Sequence, residues 1–179
     1  SLIGQVDRSL LTLEDLLRTL LDISKLDAGV LKPDMRPIKV STLFEPLRQE
    51  FAPLAAKRGL SLRILPSPHA VISDPLMMRR ILQNLLANAL RYTQKGGVLM
   101  GCRLKGDRLC IQVHDTGPGI PEAQRQAIFD EFQRGEASDG DQAGFGLGLS
   151  IVRRFATELG HDIQLASQLG QGSTFSITL

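Results

Sequence analysis

Apolar residues at Ile3, Val6, Leu10, Leu13, Leu17 and Leu20 follow one another in alternating steps of three and four. That is the period of a helix presenting one seam to a neighbouring helix. Leu2, Leu16 and Ile23 widen the stripe, giving a helix over residues 2–27 whose apolar face a lone helix cannot cover. A bundle with helices supplied from elsewhere satisfies such a face, and folding back onto the chain's own domain is the other solution. Ala28-Gly29 ends the helix and Lys32-Pro33-Asp34 reads as a linker, so the chain divides into residues 1–29 and 35–179.

The pattern then becomes mixed. A short strand at Ile38 leads to a helix opening at Ser41 and closing before Gly59, with kinks expected at Pro46 and Pro53. Leu60, Leu62 and Ile64 alternate as a strand, and residues 70–73 form another. Asp74-Pro75 supplies an N-cap and a first-turn proline for a long helix ending at Tyr92. Val98, Met100, Cys102 and Leu104 alternate with polar neighbours, the chain turns at Gly106-Asp107, and Leu109, Ile111, Val113 and Asp115 continue the same face. A helix after Pro121, a polar loop from Arg134 to Ala143, a glycine cluster and a helix from Leu149 to Leu159 follow. Two closing strands end the chain, with Phe175, Ile177 and Leu179 inward and Ser176 and Thr178 outward. This order predicts an α/β two-layer sandwich of a mixed, mostly antiparallel sheet and a helix layer, preceded by one long N-terminal helix.

A length of 179 residues supports one main core, and a formal charge of +2 gives no electrostatic footprint for nucleic acid. No apolar run approaches the ~20 residues that cross a bilayer, and the first residues lack the zones of a signal peptide, so a cytoplasmic location is expected. Cys102 and Cys110 lie on facing strands, but pairing about Gly106-Asp107 sets Arg103 opposite Cys110, which speaks against a disulfide.

Three clusters carry chemistry. Asn84, Asn88 and Arg91 stand at i, i+4 and i+7 on the long helix, placing two amide oxygens and one cation on a single stripe. The stripe suits a hard cation with phosphates, and by itself serves equally as a solvated helix face. Asp115-Thr116-Gly117-Pro118-Gly119-Ile120 leaves a strand with its carboxylate on the buried face, where a ligand amino group could donate to it; a surface turn capped by aspartate is the alternative. Gly144-Phe145-Gly146-Leu147-Gly148-Leu149 enters a helix with backbone N–H groups exposed for an anion. Alone it is a weak signal, lacking the Lys-Ser/Thr of a P-loop and the parallel setting of a dinucleotide fold.

In this order, with Ile128-Phe129-Asp130-Glu131-Phe132-Gln133-Arg134 between the glycine clusters, the chain resembles the GHKL family of ATP-binding domains and, within it, sensor histidine kinases. The stretch from Asn84 to Thr93 is similar to the N box, Asp115–Ile120 to the first glycine box, residues 128–134 to the F box and Gly144–Leu149 to the second glycine box. The resemblance implies ATP and Mg²⁺ as ligands. It assigns Asn84 and Asn88 to the metal, Arg91 to phosphate and Tyr92 to the adenine and ribose. It gives Asp115, Gly117, Gly119 and Ile120 to adenine, Arg134 to the γ-phosphate as the catalytic arginine, and Gly144, Gly146, Leu147 and Gly148 to the phosphates. Thr174 matches a threonine that assists at the adenine side.

It further implies a two-component phosphotransferase: γ-phosphate passes to a histidine on a dimerisation helix, and then to a response regulator's receiver domain. Residues 2–27 resemble the second helix of that hairpin, and no histidine here sits on a helix before an acidic residue. The chain is therefore expected to be unable to phosphorylate itself, its parent being a homodimer that is membrane-anchored, soluble or hybrid. A hydrolase of the same superfamily carries a glutamate four residues before the metal-binding asparagine; Asn84 stands there and cannot act as a general base. A non-catalytic nucleotide-binding module is the third reading.

Overall fold

The computed structural model describes residues 13, 17, 20–130 and 148–179. Helix α1, described at 13, 17 and 20–27, is followed by β1 (Arg36–Lys39), α2 (Val40–Lys57), β2 (Ser61–Ile64), β3 (Ala70–Ser73) and α3 (Pro75–Tyr92). Then come β4 (Gly97–Lys105), β5 (Arg108–Asp115), α4 (Gly148–Glu158), β6 (Asp162–Gln168) and β7 (Gly172–Thr178). Five strands form one sheet in the order β2-β4-β5-β7-β6, in which only β2 and β4 run parallel, and β1 pairs with β3 as a separate antiparallel ribbon. The turn at Gly106 sets Arg103 opposite Cys110, and both cysteines are free.

The helix layer packs on one face of the sheet. Met77, Met78, Ile81, Leu82, Leu85 and Leu86 of α3 are buried against Met100, Ile111 and Val113 of β4 and β5, and against Ile151 and Phe155 of α4. Burying side chains of this size contributes roughly 1.5–3 kcal/mol each. Phe129 meets Phe175 edge to face at 6.1 Å, which fastens the segment after β5 to β7.

Helix α1 covers part of its apolar stripe on the domain and leaves part exposed among the described residues. Ile23 is buried in the domain core with Leu26 packed beside it, and Asp22 pairs with Arg80 at 2.9 Å while Asp27 pairs with Arg154. Leu13, Leu17, Leu20 and Leu21 remain exposed. Ile3, Val6 and Leu10 lie outside the described residues.

Two local expectations differ from the structure, at the start of α2 and after Pro121. Helix α2 begins at Val40 rather than Ser41, because the Val40 N–H is taken by the His69 carbonyl at 2.9 Å, an anchor from the β1–β3 ribbon that no local capping residue announces. Pro46 and Pro53 both lie within this helix, and Pro53 and Gln49, whose carbonyl it frees, are on its exposed side. The segment after Pro121 forms two short 3₁₀ turns, Glu122–Gln124 and Ala127–Phe129, in place of a helix. Thr178 keeps the outward face, as expected, and is buried there beside Cys110, its carbonyl bonded by the Arg108 guanidinium at 3.0 Å.

Candidate functional site

Helix α3 is built to hold still. Asp74 caps it, Oδ1 accepting from Leu76 N at 2.8 Å and Met77 N at 2.9 Å, while Oδ2 accepts from Asp34 N at 2.8 Å. At the other end Thr93, fully buried, returns its hydroxyl to the Ala89 carbonyl at 2.7 Å. With the apolar side buried, Asn84, Asn88 and Arg91 form a half-buried stripe, and Tyr92 is exposed at its end.

Asn84 is oriented by its own helix, since Nδ2 donates to the Arg80 carbonyl at 2.8 Å. The amide oxygen therefore faces away from that carbonyl, toward the start of α4. A Cβ built on Gly148 would stand 2.9 Å from Asn84 Oδ1 and 3.8 Å from Asn88 Nδ2. Gly148 opens α4, so the positive end of a helix dipole lies beside the two asparagines, a setting that favours an anion.

Asp115 closes β5 between Val98 of β4 and Ser173 of β7 and is buried. Burial pushes its carboxyl above the usual carboxylate range, against the backbone N–H groups of Gly117 and Ser173 and the charge of His114, which pull it down. The Gly117 N–H reaches Oδ1 at 2.8 Å. A side chain at Gly117 would come within 2.7 Å of that oxygen and 3.4 Å of the Tyr92 carbonyl, so the turn packs directly on the end of α3. Gly119 has φ +76° and lies against the Gln168 backbone of the β6–β7 hairpin. Ile120 follows, half-buried, its N–H donated to Ser167 Oγ at 2.8 Å.

The asparagine stripe, the opening of α4 and the Asp115 turn thus line one end of the helix layer. Residues 73–179 match the family described as histidine kinase-, DNA gyrase B- and HSP90-like ATPases. The chain belongs to this family. The aerobic respiration control sensor protein ArcB of Escherichia coli K12 is 34% identical over 177 residues, covering 96% of this chain and 23% of ArcB. The sensor histidine kinase RcsC of the same strain is 30% identical over 182 residues, 99% of this chain and 19% of RcsC. The chain therefore spans about a fifth of the length of these relatives. A crystal structure of full-length ShkA in complex with AMPPNP superposes with TM-score 0.79 at 29% identity, over 93% of this chain and 35% of that one. The Acinetobacter baumannii histidine kinase AdeS, at 21% identity, shares the fold with TM-score 0.83 over 99% of this chain and 83% of its own.

Within this ATPase family member the expected residues fall into three groups. Asn84, Asn88, Arg91, Tyr92, Asp115, Gly117, Gly119, Ile120 and Gly148 lie together as described above. Arg134, Gly144, Gly146 and Leu147 lie outside the described residues. Thr174 departs from the group and is corrected: its hydroxyl meets His114 Nδ1 at 2.9 Å on the opposite face of the sheet from Asp115. The β7 residue paired with Asp115 is Ser173, which is buried. Strand parity contains this signal, because Phe175 and Ile177 point inward and Ser173 shares their side. Arg125 and Ser167 also went unread in the sequence, since their partners are backbone groups distant along the chain.

No helix among the described residues is long and apolar enough to cross a membrane.

Proposed function

We propose that this chain binds Mg·ATP as the catalytic domain of a two-component sensor histidine kinase, and that in its parent the γ-phosphate passes to a histidine on a dimerisation helix. The observation that carries this reading is the convergence at Gly148. Two motifs some sixty residues apart along the chain approach so closely that a single methyl group at Gly148 would press on Asn84. Such a close approach sets the backbone at the start of a helix beside two neutral amides, a pairing whose chemistry suits an anion and a hard cation.

The donor set fits magnesium. Asn84 and Asn88 offer neutral oxygens, and the described residues contain no group of three or more His, Cys, Asp or Glu side chains that could hold a metal. A cation here takes most of its ligands from phosphates and water, as Mg²⁺ does. Once bound, it neutralises charge on the phosphate oxygens. Arg91 supplies a cation to the phosphates from the same stripe, and Asp115 accepts from the adenine amino group beneath Gly117. Arg134, Gly144, Gly146 and Leu147 are assigned to the phosphates by the family resemblance, with Arg134 on the γ-phosphate. In the transfer an imidazole nitrogen forms a bond to the γ-phosphorus, the bond to the β–γ bridging oxygen breaks, and ADP leaves. The imidazole proton passes to an acidic neighbour of that histidine. Catalysis is largely positioning, so the acceptor helix must be present for turnover.

Residues 1–29 are read as the second helix of the dimerisation hairpin, and a receiver domain as the next acceptor. The dimeric state and the cytoplasmic site of action belong to the same proposal. Asn84 argues against the hydrolase reading, because an amide takes no proton from water. Calorimetric titration with ATP, with and without Mg²⁺, tests the binding step, and γ-labelled ATP tests the transfer. Metal-dependent binding is expected, with no label retained by this chain and acid-labile, base-stable label on a parent that includes the acceptor helix. Absent or metal-independent ATP binding refutes the reading, and rapid steady-state hydrolysis favours a hydrolase.

A further inference from the structure

The Asp115 turn is fastened to the β6–β7 hairpin by a set of hydrogen bonds that radiate from one arginine outside every motif discussed so far. Arg125, half-buried after the first 3₁₀ turn, donates from Nε to the Ile120 carbonyl at 3.3 Å and from Nη2 to the Ser167 carbonyl at 2.7 Å. Ser167 Oγ in turn accepts from the Ile120 N–H at 2.8 Å, so Ile120 is held at both of its polar groups. The same hydroxyl lies 2.9 Å from Ser173 Oγ and 3.1 Å from the Gly172 carbonyl. Ser173 is the strand partner of Asp115. A path of hydrogen bonds therefore runs from Arg125 through Ile120 and Ser167 to Ser173, the residue paired with the buried aspartate. Gly170 N adds a bond to the Pro118 carbonyl at 2.8 Å.

Only an arginine spans two carbonyls in this way. Its planar guanidinium offers several N–H groups in a fixed fork, whereas a lysine ammonium is a point donor on a flexible stem. The two carbonyls belong to different pieces of the fold, one on the turn beside Asp115 and one on β6, so the guanidinium sets the spacing between them. Gly117 and Gly119 on the N-terminal side of Ile120 are conformationally permissive, so the turn depends on such bonds to hold its place.

We propose that Arg125 is a positioning residue for the base end of the nucleotide: by tying Ile120 to Ser167 it fixes the turn relative to the Ser173–Asp115 pair and so sets discrimination among purine bases. This rests on the assignment of Asp115 to the adenine amino group, and the experiment separates the two. Affinities for Mg·ATP and for Mg·inosine triphosphate, whose 6-oxo group offers Asp115 no donor, are measured by calorimetry for the native chain, Arg125→Met, Arg125→Lys and Ser167→Ala. The native chain should favour ATP. Arg125→Met should lower ATP affinity about five- to ten-fold and inosine triphosphate affinity less than about two-fold, compressing the ratio, because lost hydrogen bonds of this kind are each worth about a factor of ten or less. Arg125→Lys, keeping one contact, should fall between, and Ser167→Ala should compress the ratio in the same sense.

Amide exchange at Ile120 in the nucleotide-free chain should speed up in Arg125→Met. A merely structural brace lowers thermal stability and both affinities together, so an unchanged ratio in a folded Arg125→Met chain overturns the proposal. Should that variant fail to fold, an unchanged ratio in both Arg125→Lys and Ser167→Ala overturns it equally. A native chain that binds both triphosphates alike refutes the adenine assignment itself, a different and separately visible failure.

Discussion

Replacing Gly148 by alanine adds one methyl group at the point where the second glycine cluster meets the asparagine stripe. Gly148 does not have positive φ, so alanine is allowed by the backbone and the position is governed by space. The new carbon would stand 2.9 Å from Asn84 Oδ1, where ordinary contact begins at 3.4 Å, so the pair must separate by about half an ångström. Asn84 cannot swing freely, because Nδ2 is bonded to the Arg80 carbonyl at 2.8 Å and releasing it costs about 1 kcal/mol. A magnesium ligand tolerates only ~0.2 Å of misplacement, so the displaced oxygen leaves the coordination sphere or strains it. The expected result is a roughly ten-fold loss of Mg·ATP affinity, about 1.4 kcal/mol, with metal-free ATP binding little changed. Thermal stability without nucleotide should change little, since the helix preference for alanine over glycine, up to about 1 kcal/mol, offsets the cost of moving Asn84. Calorimetry with and without Mg²⁺, paired with thermal melts, reads both quantities. A folded Gly148→Ala chain with native Mg²⁺ dependence refutes the assignment of these amides to the metal.

Asn88→Ala should likewise erase most of the Mg²⁺ dependence of ATP binding while sparing metal-free binding; equal losses in both titrations would point to a structural asparagine. Asp115→Asn should nearly abolish ATP binding without destabilising the empty domain. Its pH behaviour follows from burial holding the Asp115 carboxyl above the usual range: the folded state binds that proton more tightly than the unfolded one. The native chain therefore gives up stability as pH rises from the ordinary aspartate value through the raised one, and the asparagine variant lacks that slope in denaturant titrations. His161 is shifted the other way, first by burial and then by Arg108, and bonds Ser73 Oγ at 2.7 Å. The unfolded chain protonates it first, so stability is present above about pH 6.5 and is lost as pH falls toward the lowered folded value. Urea titrations between about pH 5 and about pH 8 should show this slope, and His161→Gln should flatten it.

Much of the fold is written in local chemistry. Asp74-Pro75 and Thr93 mark both ends of α3, and the turn at Gly106 fixes the register of β4 on β5 to the residue. The features that escaped depend on distant backbone. Val40 starts α2 because His69 lies opposite it, and Arg125 binds carbonyls five and forty-two residues away, neither of which leaves a periodic trace. Thr174 is another kind of miss, since the alternation of Phe175 and Ile177 already put Ser173 on the side of Asp115.

The two ends of the site depart from what stability alone would select, and they do so in opposite chemical senses. At the phosphate end a glycine occupies the first turn of α4, where alanine would make the better helix. At the base end a carboxylate is buried with backbone donors that only partly offset its desolvation. Among the described residues Asp115 accepts from the Gly117 N–H, whereas Asp74, equally buried, accepts three backbone N–H bonds. The contrast between Asp74 and Asp115 is therefore informative about role. A buried aspartate with a full set of donors holds a helix in place, whereas one whose carboxyl is held above its usual range retains capacity for a donor from outside. Replacing both, by Gly148→Ala and Asp115→Asn together, should give a domain about as stable as the native one and devoid of metal-dependent nucleotide binding. A double variant that melts well below the native chain would mean that these residues serve the fold, and the separation of stability from binding argued for this site would fail.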